Sequence, residues 1–258
     1  MKKAIVLIFG SVMMLASFTA SVQYERGDVD QDGRVTVADV TRLIDYLLYG
    51  TWGEEPVGPE NPLDGHEWVD LGLPSGTLWA TCNVGADSPE GYGDLFAWGE
   101  TEPKSRYYWD TYKWCNGSDN TQTKYCTNPS VGTVDNKTEL DPEDDAAYVN
   151  WGPSWRMPTK AQMVELKTNC TWVWLIQNGT YGIQLTGPNG KTLFLPAAGY
   201  YNFSHLEKLT QYGYYWSRSL APDSKSAYSY LFYPWGWSDG NNERCYGYSV
   251  RPVLVSQD

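Results

Sequence analysis

Residues 226–253, SAYSYLFYPWGWSDGNNERCYGYSVRPV, alternate aromatic side chains with small residues and then continue into a Gly- and Asn-rich segment. The alternation over 226–233 predicts a β-strand that buries one face, so half of its aromatic side chains are expected at the surface. Rigid Tyr and Trp rings among Ser, Gly and Asn are typical of antibody-like binding surfaces. The segment therefore predicts a ligand-binding surface made of Tyr228, Tyr230, Phe232, Tyr233, Trp235, Trp237, Asn241, Asn242, Arg244 and Tyr246.

The same pattern also fits an aromatic hairpin that closes the hydrophobic core. The two interpretations differ in what Ala substitution does at Tyr230, Trp235 and Trp237. A binding surface predicts that binding is lost while the melting temperature hardly changes, whereas a core predicts a large loss of stability.

The rest of the C-terminal region predicts an α+β domain with long irregular loops. Apolar or alternating runs at 181–187 (YGIQLTG) and 191–199 (KTLFLPAAG) are bounded by Gly, Pro and Asn, which indicates strands and hairpins. A helix is predicted over 159–169, where Thr159 and Gln162 have the spacing of a capping box.

Several large side chains of this region are expected to be structural. Arg156 and Arg251 adjoin or lie near Pro in short motifs, which suits guanidinium groups that hold loops through carbonyl or carboxylate oxygens. Buried indoles with bonded N–H groups supply a large part of a core. The tryptophans expected there are Trp79, Trp98, Trp155 and Trp216.

Six separated segments occur in an order that resembles a known family. They are EWVDLGLPSGTLWATCNVGA (67–86), GDLFAWGE (93–100), WRMPTKAQMVEL (155–166), LFLPAAGYY (193–201), YGYYWSRSL (212–220) and YGYSVRPVL (246–254). Together they resemble the Fibrobacter major-paralogous domain, which is related to the C-type-lectin-like fold of formylglycine-generating enzymes and of diversity-generating-retroelement variable proteins. The resemblance implies a C-type-lectin-like fold for 66–258 and a diversified ligand surface just before SVRPV.

A calcium loop is predicted near the other end of the chain, in GDVDQDGRVTVADV (27–40). Acidic side chains at alternate positions, a Gly for the sharp turn and a final carboxylate suit a hard cation that takes six to eight oxygen ligands. The predicted Ca²⁺ ligands are Asp28, Asp30, Asp32, Arg34 through its carbonyl, Thr36 and Asp39.

Asp39 at the twelfth position and the apolar helix face that follows resemble a dockerin repeat over residues 24–50. Dockerins carry two repeats and attach enzymes or adhesins to cohesin scaffolds, whereas this chain has one. The apolar face is therefore interpreted as docking on the larger domain or on the 51–65 linker. Capture of a cohesin-like partner is the alternative.

Residues 1–21 predict a secretory signal peptide, because Lys2 and Lys3 precede an apolar run that ends in small residues. We expect a protein that is secreted or held at the cell surface, with no membrane span in the mature chain. The 31 acidic and 19 basic residues give a net charge of −12, which argues against nucleic acid and anionic membranes. Glycans, proteins and divalent cations remain as partners.

Five cysteines in an exported chain allow two disulfides, and Cys115 with Cys126, which flank a polar loop, is the predicted pair. A formylglycine-type oxidase needs two reactive cysteines near its C-terminus, and only Cys245 lies there. His66 and His205 are interpreted as surface or packing residues.

Three classes of function remain. The sequence favours a non-catalytic recognition protein whose aromatic surface binds a glycan or a protein without lectin-type calcium coordination. The alternative is a dockerin-borne component of a polysaccharide-degrading assembly, and the third is an oxidase. A glycosidase carboxylate pair is not excluded by spacing alone.

Overall fold

The computed structural model describes residues 65–254, together with Val40 and Leu43, which lie in a helix. The chain divides into two compact units, 1–60 and 61–258. The strands and α-helices of the second unit are β1 (Trp68–Asp70), β2 (Leu78–Ala80), β3 (Leu95–Phe96), α1 (Ala146–Trp151), β4 (Trp155–Arg156), α2 (Lys160–Asn169), β5 (Thr171–Gln177), β6 (Thr180–Thr186), β7 (Thr192–Pro196), β8 (Tyr200–Asn202), β9 (His205–Glu207), β10 (Gly213–Leu220), β11 (Ser226–Tyr233), β12 (Gly236–Glu243), β13 (Tyr248–Ser249) and β14 (Val253–Leu254).

The described part of the chain is mostly β-sheet with few helices, in agreement with the coarse prediction. The predicted helix forms as α2. Its capping box is present, because Thr159 Oγ1 accepts from the Gln162 amide at 3.1 Å and Gln162 Oε1 accepts from the Thr159 amide at 2.9 Å. None of the helices in residues 65–254 has the length and apolar character that a membrane crossing needs.

One sheet joins the two ends of the described domain, in the order β1-β2-β14-β4. Val253 pairs with Trp79 on one side and with Arg156 on the other. Arg251, fully buried, donates to Asn83 Oδ1 at 2.9 Å and to the carbonyls of Ala80 and Thr81. The prediction that Arg251 holds loops through oxygen acceptors is confirmed.

The central sheet has the order β12-β11-β10-β13-β3, and the β10–β13 pair is parallel. Two buried indoles tie it together: Trp216 Nε1 donates to the Phe96 carbonyl at 2.9 Å and Trp98 Nε1 to the Ser217 carbonyl at 2.8 Å. Trp79 and Trp155 are buried as well, but their N–H groups have no acceptor among residues 65–254. All four tryptophans lie in the core, as predicted.

A third sheet, β5-β6-β7, and the β8–β9 hairpin complete the strands. Ile183 and Leu185 of β6 pack with Met163 and Leu166 of α2 in one apolar cluster. This cluster also contains Tyr215, Tyr230, Phe232 and Trp79. Helix α2 and the third sheet therefore cover this face of the central sheet.

The predicted Cys115–Cys126 disulfide is wrong, since all five cysteines are free thiols. The Cys115 thiol contacts the Trp109 carbonyl at 3.0 Å, whereas the buried Cys126 thiol contacts the Asn128 carbonyl at 3.2 Å. Backbone bridges of Gln122 with Cys115 and with Gly132 hold the intervening loop instead. Sequence proximity alone did not bring the two sulfur atoms together.

Asp145 starts α1 and links it to β4. Its carboxylate accepts from the amides of Ala147 (2.9 Å), Tyr148 (3.2 Å) and Met157 (2.9 Å). Burial raises the pKa of Asp145 from the ordinary 3.8 to about 6, although these amides act in the opposite direction. The folded state therefore binds the Asp145 proton more tightly than the unfolded chain does.

This shift predicts a pH-dependent stability. The contribution of Asp145 is fully present below about pH 4 and is lost as the pH rises through about 6. In urea denaturation, the free energy of unfolding of the wild type relative to Asp145→Asn should fall by roughly 2 kcal/mol between pH 4 and 7. A difference that stays constant over this range would contradict the raised pKa.

Candidate ligand-binding surface

The β11–β12 hairpin carries most of the residues predicted to bind a ligand, and its two faces differ. The strands pair without a break from Ser226 with Glu243 to Tyr233 with Gly236. Successive side chains of a strand point to opposite faces, so Tyr230 and Phe232 lie on one face of β11 and Tyr233 on the other. Cross-strand partners share a face.

Tyr233 belongs to a row of tyrosine rings, which we call the tyrosine surface: Tyr200, Tyr212, Tyr214, Tyr233 and Tyr246. All five rings are half-buried. Ring centroids lie 5.3 Å apart for Tyr233 and Tyr212, 6.2 Å for Tyr212 and Tyr214, 4.6 Å for Tyr214 and Tyr200, and 6.1 Å for Tyr200 and Tyr246. The rings thus form one continuous aromatic platform.

The tyrosine surface, or platform, packs on the core. Buried Tyr248 lies 4.9 Å from Tyr214 and 5.9 Å from Tyr200, measured between ring centroids, and it stacks on Trp216 at 4.2 Å. Trp216 is in turn fixed by its hydrogen bond to the Phe96 carbonyl. A ring that is held from below loses little conformational entropy when a ligand stacks on it.

Three hydroxyl groups of the tyrosine surface, those of Tyr200, Tyr214 and Tyr246, have raised pKa values and stay protonated at neutral pH. Burial raises the pKa of Tyr214 and of Tyr246 to about 12, and Glu243 adds to the effect at Tyr246. Burial, with Glu207 nearby, also raises the pKa of Tyr200. Neutral phenols can both donate and accept hydrogen bonds, so the platform offers polar contacts in addition to its ring faces.

Trp235 stands at the tip of the hairpin, beside Tyr233. It occupies the two-residue turn Pro234–Trp235 between β11 and β12 and is 86% exposed. Gly236 leaves room for the Tyr233 ring, since a Cβ at that position would lie 2.8 Å from the Tyr233 hydroxyl oxygen. The turn therefore presents Trp235 to solvent while Tyr233 folds back towards Tyr212.

Three predicted ligand residues, Tyr230, Phe232 and Arg244, are buried in the core, which corrects the prediction. Tyr230 and Phe232 are buried in the cluster with α2, and half-buried Trp237 packs against them. The expected unchanged melting temperature for an Ala variant at Tyr230 is therefore not supported.

The third is Arg244, which is fully buried. Its Nε donates to the Tyr112 hydroxyl at 2.9 Å. Its Nη atoms donate to the carbonyls of Tyr125, Ser224 and Lys124 at 3.0–3.1 Å. Its partners lie far away in the sequence, so no local pattern could reveal this role.

The other predicted residues divide between support and surface. Tyr228 is half-buried under the Lys160 ammonium group, 3.7 Å from its ring centroid. Asn242 donates to Ser229 Oγ at 2.7 Å, so its amide braces the hairpin. Asn241, across from Tyr228, is exposed.

Sequence reasoning missed three members of the tyrosine surface as site residues, Tyr200, Tyr212 and Tyr214. Tyr212 and Tyr214 are two residues apart at the start of β10, a spacing that places both on one face of a strand. That spacing was an available signal. Their neighbour Tyr200 reaches the surface only through the fold, because β8 lies beside this sheet.

The predicted calcium ligands, Asp28 to Asp39, lie outside the described residues. Val40 and Leu43, which follow them, lie in a helix and are exposed. In the described domain, Asp141, Glu143 and Asp144 bring carboxylate oxygens within 4.8 Å of one another. Lys124 Nζ lies 2.6 Å from both Asp141 and Asp144, so ammonium groups already balance this charge.

Comparisons with protein-family models, with curated proteins and with solved structures found no match to this chain.

Arg244 gives a test of the corrected assignment. Arg244→Ala leaves three carbonyls and the Tyr112 hydroxyl without their donor, and we expect a loss of about 3 kcal/mol in the free energy of unfolding. The control is Arg106→Ala, which removes an exposed ion pair with Asp110 and should leave the free energy of unfolding close to that of the wild type. Urea denaturation measures the free energy of unfolding of both variants. An Arg244→Ala protein as stable as the wild type would contradict the structural role of Arg244.

Proposed function

We propose that this chain is an exported, non-catalytic recognition protein that binds a glycan through the tyrosine surface and Trp235. One observation carries the proposal: five half-buried tyrosine rings form a chain with neighbouring centroids 4.6–6.2 Å apart, and Trp235, two residues after Tyr233 at the tip of the hairpin, is 86% exposed. Soluble proteins rarely leave an aromatic cluster of this kind at the surface unless it contacts a ligand.

The chemistry of the platform favours an uncharged, hydroxyl-rich ligand. Aromatic faces can stack on the C–H faces of sugar rings, and protonated tyrosine hydroxyls can exchange hydrogen bonds with sugar hydroxyls. Glu207 and Glu243 lie near Tyr200 and Tyr246, and the whole chain has a net charge of −12. The two nearby carboxylates and the negative net charge of the chain all disfavour anionic ligands.

A protein ligand is the second candidate, and the hairpin itself supports it. Exposed Trp and Tyr side chains are the commonest binding hot spots between proteins. β12 adds a short, exposed polar side chain, Ser238, on the face of Tyr233, because Ser238 pairs with Leu231. We further propose the C-type-lectin-like fold and a diversified surface in this region, on the resemblance of the six sequence segments.

Absence of catalysis is part of the proposal. The hydroxyls of Tyr214 and Tyr246 have pKa values near 12, which suits hydrogen bonding better than proton transfer at neutral pH. Burial raises the pKa of the Cys245 thiol, which disfavours the thiolate that an oxidase would need.

The dockerin-like repeat gives the alternative role, attachment to a polysaccharide-degrading assembly through a cohesin-like partner. Its support is the spacing of Asp28, Asp30, Asp32 and Asp39, with a helix that includes Val40 and Leu43 directly after the loop. We propose that the loop binds Ca²⁺ and that the tyrosine surface acts without calcium.

Removal of single rings tests the binding surface. Trp235→Ala and Tyr212→Ala should each weaken glycan binding about tenfold, because each removes one stacking face. Trp235→Ala should leave the melting temperature unchanged, since its side chain is 86% exposed. The probes are an array of neutral glycans and then calorimetry with the glycan retained.

Tyr181→Ala is the matched control, because Tyr181 is an exposed aromatic residue on the third sheet. It should bind like the wild type. If the array retains the wild type and both ring variants equally, the tyrosine surface is not the site. If the array retains nothing while Trp235→Ala abolishes adhesion to cells treated to remove glycans, the ligand is a protein.

Calcium removal tests the repeat. Titration with Ca²⁺ should show one site in the full chain, and Asp30→Ala should abolish it because a carboxylate ligand is lost. Chelation should increase proteolysis within residues 27–49 and leave glycan binding unchanged. Glycan binding that disappears on chelation would contradict a calcium-independent tyrosine surface.

A further inference from the structure

β5 is a long, uncharged edge strand. It lies at the outside of the β5-β6-β7 sheet and pairs with β6 through seven consecutive residues, Thr171 with Thr186 to Gln177 with Thr180, without a bulge. Its sequence is TWVWLIQ, with no charged residue and no Pro. Within residues 65–254, no strand pairs with its outer edge.

The strand is also apolar at the surface. Ile176 is 55% and Val173 50% exposed, and Trp172 is exposed as well. Edge strands of soluble proteins are normally protected by charges, Pro, bulges or short length. β5 has none of these features, so an unpaired row of backbone N–H and C=O groups is combined with apolar side chains, which is the surface that a further strand covers.

We propose that β5 pairs antiparallel with β5 of a second copy of this chain, which joins two three-stranded sheets into one of six strands. A two-fold axis at Trp174, the middle residue, lets all seven residues pair. Val173 then faces Leu175 of the other copy, and Trp172 faces Ile176. Aromatic and β-branched residues opposite each other are favourable cross-strand pairs, and such an interface is closed by its own symmetry.

β5 is self-complementary in charge, because it has no charged residue, so a second copy of β5 can occupy its edge. The copies carry a net charge of −12 each, and an uncharged strand is where two such chains can meet without opposing like charges. A carboxylate lies at one end of the strand, because Glu90 accepts from the side chains of Gln177 (2.6 Å) and Asn178 (2.9 Å).

Antiparallel pairing keeps the two copies of Glu90 at opposite ends of the paired strands. Six residue steps separate these ends, about 20 Å at the rise of a strand. This exceeds the screening length of about 8–10 Å at physiological salt. A parallel arrangement would place the two carboxylates side by side, so the charge distribution favours the antiparallel pair.

The dimer presents two tyrosine surfaces in one particle. A multivalent ligand such as a polysaccharide would then bind with higher avidity than one surface allows. The proposed pairing does not depend on that function, since it rests on the edge, composition and exposure of β5.

The test is the concentration dependence of the molar mass, measured by analytical ultracentrifugation on the full chain at physiological salt. The wild type should change from monomer to dimer with increasing concentration. Val173→Lys and Ile176→Lys each place a charge on the edge, and each should weaken association at least about tenfold. Near-ultraviolet circular dichroism verifies that both variants are folded.

Val149→Lys is the matched control, because Val149 is 46% exposed on α1 and carries the same substitution away from the strand. It should dimerise like the wild type. A wild type that stays monomeric at all concentrations would overturn the proposal, as would a dimer that the two β5 variants do not weaken.

Hydrogen exchange locates the contact independently of any variant. Amides in residues 171–177 should exchange more slowly at concentrations where the dimer forms than where the monomer prevails. Slowed exchange elsewhere with no change in 171–177 would place the interface on another face. Monomer mass with a foreign strand-forming peptide protecting 171–177 would show that β5 accepts a different partner.

Discussion

The irregular part of this fold depends on the hydrogen bonds of one buried guanidinium group, that of Arg244. A charge taken out of water is costly unless its hydrogen bonds are replaced. Here a hydroxyl and three carbonyls supply the acceptors, and the Trp98 ring lies 4.9 Å from the guanidinium carbon. These acceptors come from loops around residues 112, 125 and 224, so one side chain at the end of β12 fixes three loops at once. Arg251 does the same for the loop after β2.

The β11–β12 hairpin contributes to the core on one face and to the tyrosine surface on the other, because the side chains of a strand alternate between two faces. Tyr230 and Phe232 contribute to the cluster with α2, and the neighbouring Tyr233 contributes to the tyrosine surface. The hairpin is therefore held by apolar packing on one side, which leaves the rings on the other side free to contact a ligand. The rigid position of the platform follows from the burial of Tyr248 and Trp216 beneath it.

Local signals in the sequence predicted local structure correctly. Thr159 and Gln162 form the capping box within four residues of each other, and the alternation at 226–233 forms β11. The same alternation could not decide which face is buried, because that depends on α2 and β6, which are remote in sequence. This is why Tyr230 and Tyr233 were predicted alike although only Tyr233 is on the platform.

Long-range contacts account for the other errors. Arg244 resembles a polar surface residue in sequence, and its burial depends on acceptors about 120 residues earlier in the chain. Tyr200 joins Tyr214 only because β8 packs beside the central sheet. The Cys115–Cys126 pairing failed for a related reason, since the loop between them is closed by backbone bridges of Gln122.

The buried contacts that hold the hairpin are separate from its exposed positions, so the proposed ligand surface can be substituted without removing those contacts. The groups that hold the hairpin, Arg244 and Phe232, are buried and fixed by specific partners. Trp235 and Ser238 are exposed, and a side chain added at Gly240 would meet no heavy atom within 4 Å. Substitutions at such positions change what a ligand meets while the core contacts remain, and exposed positions of this kind usually alter stability by less than about 0.5 kcal/mol. A surface that varies at low cost is therefore available on a hairpin whose position is set by its opposite face.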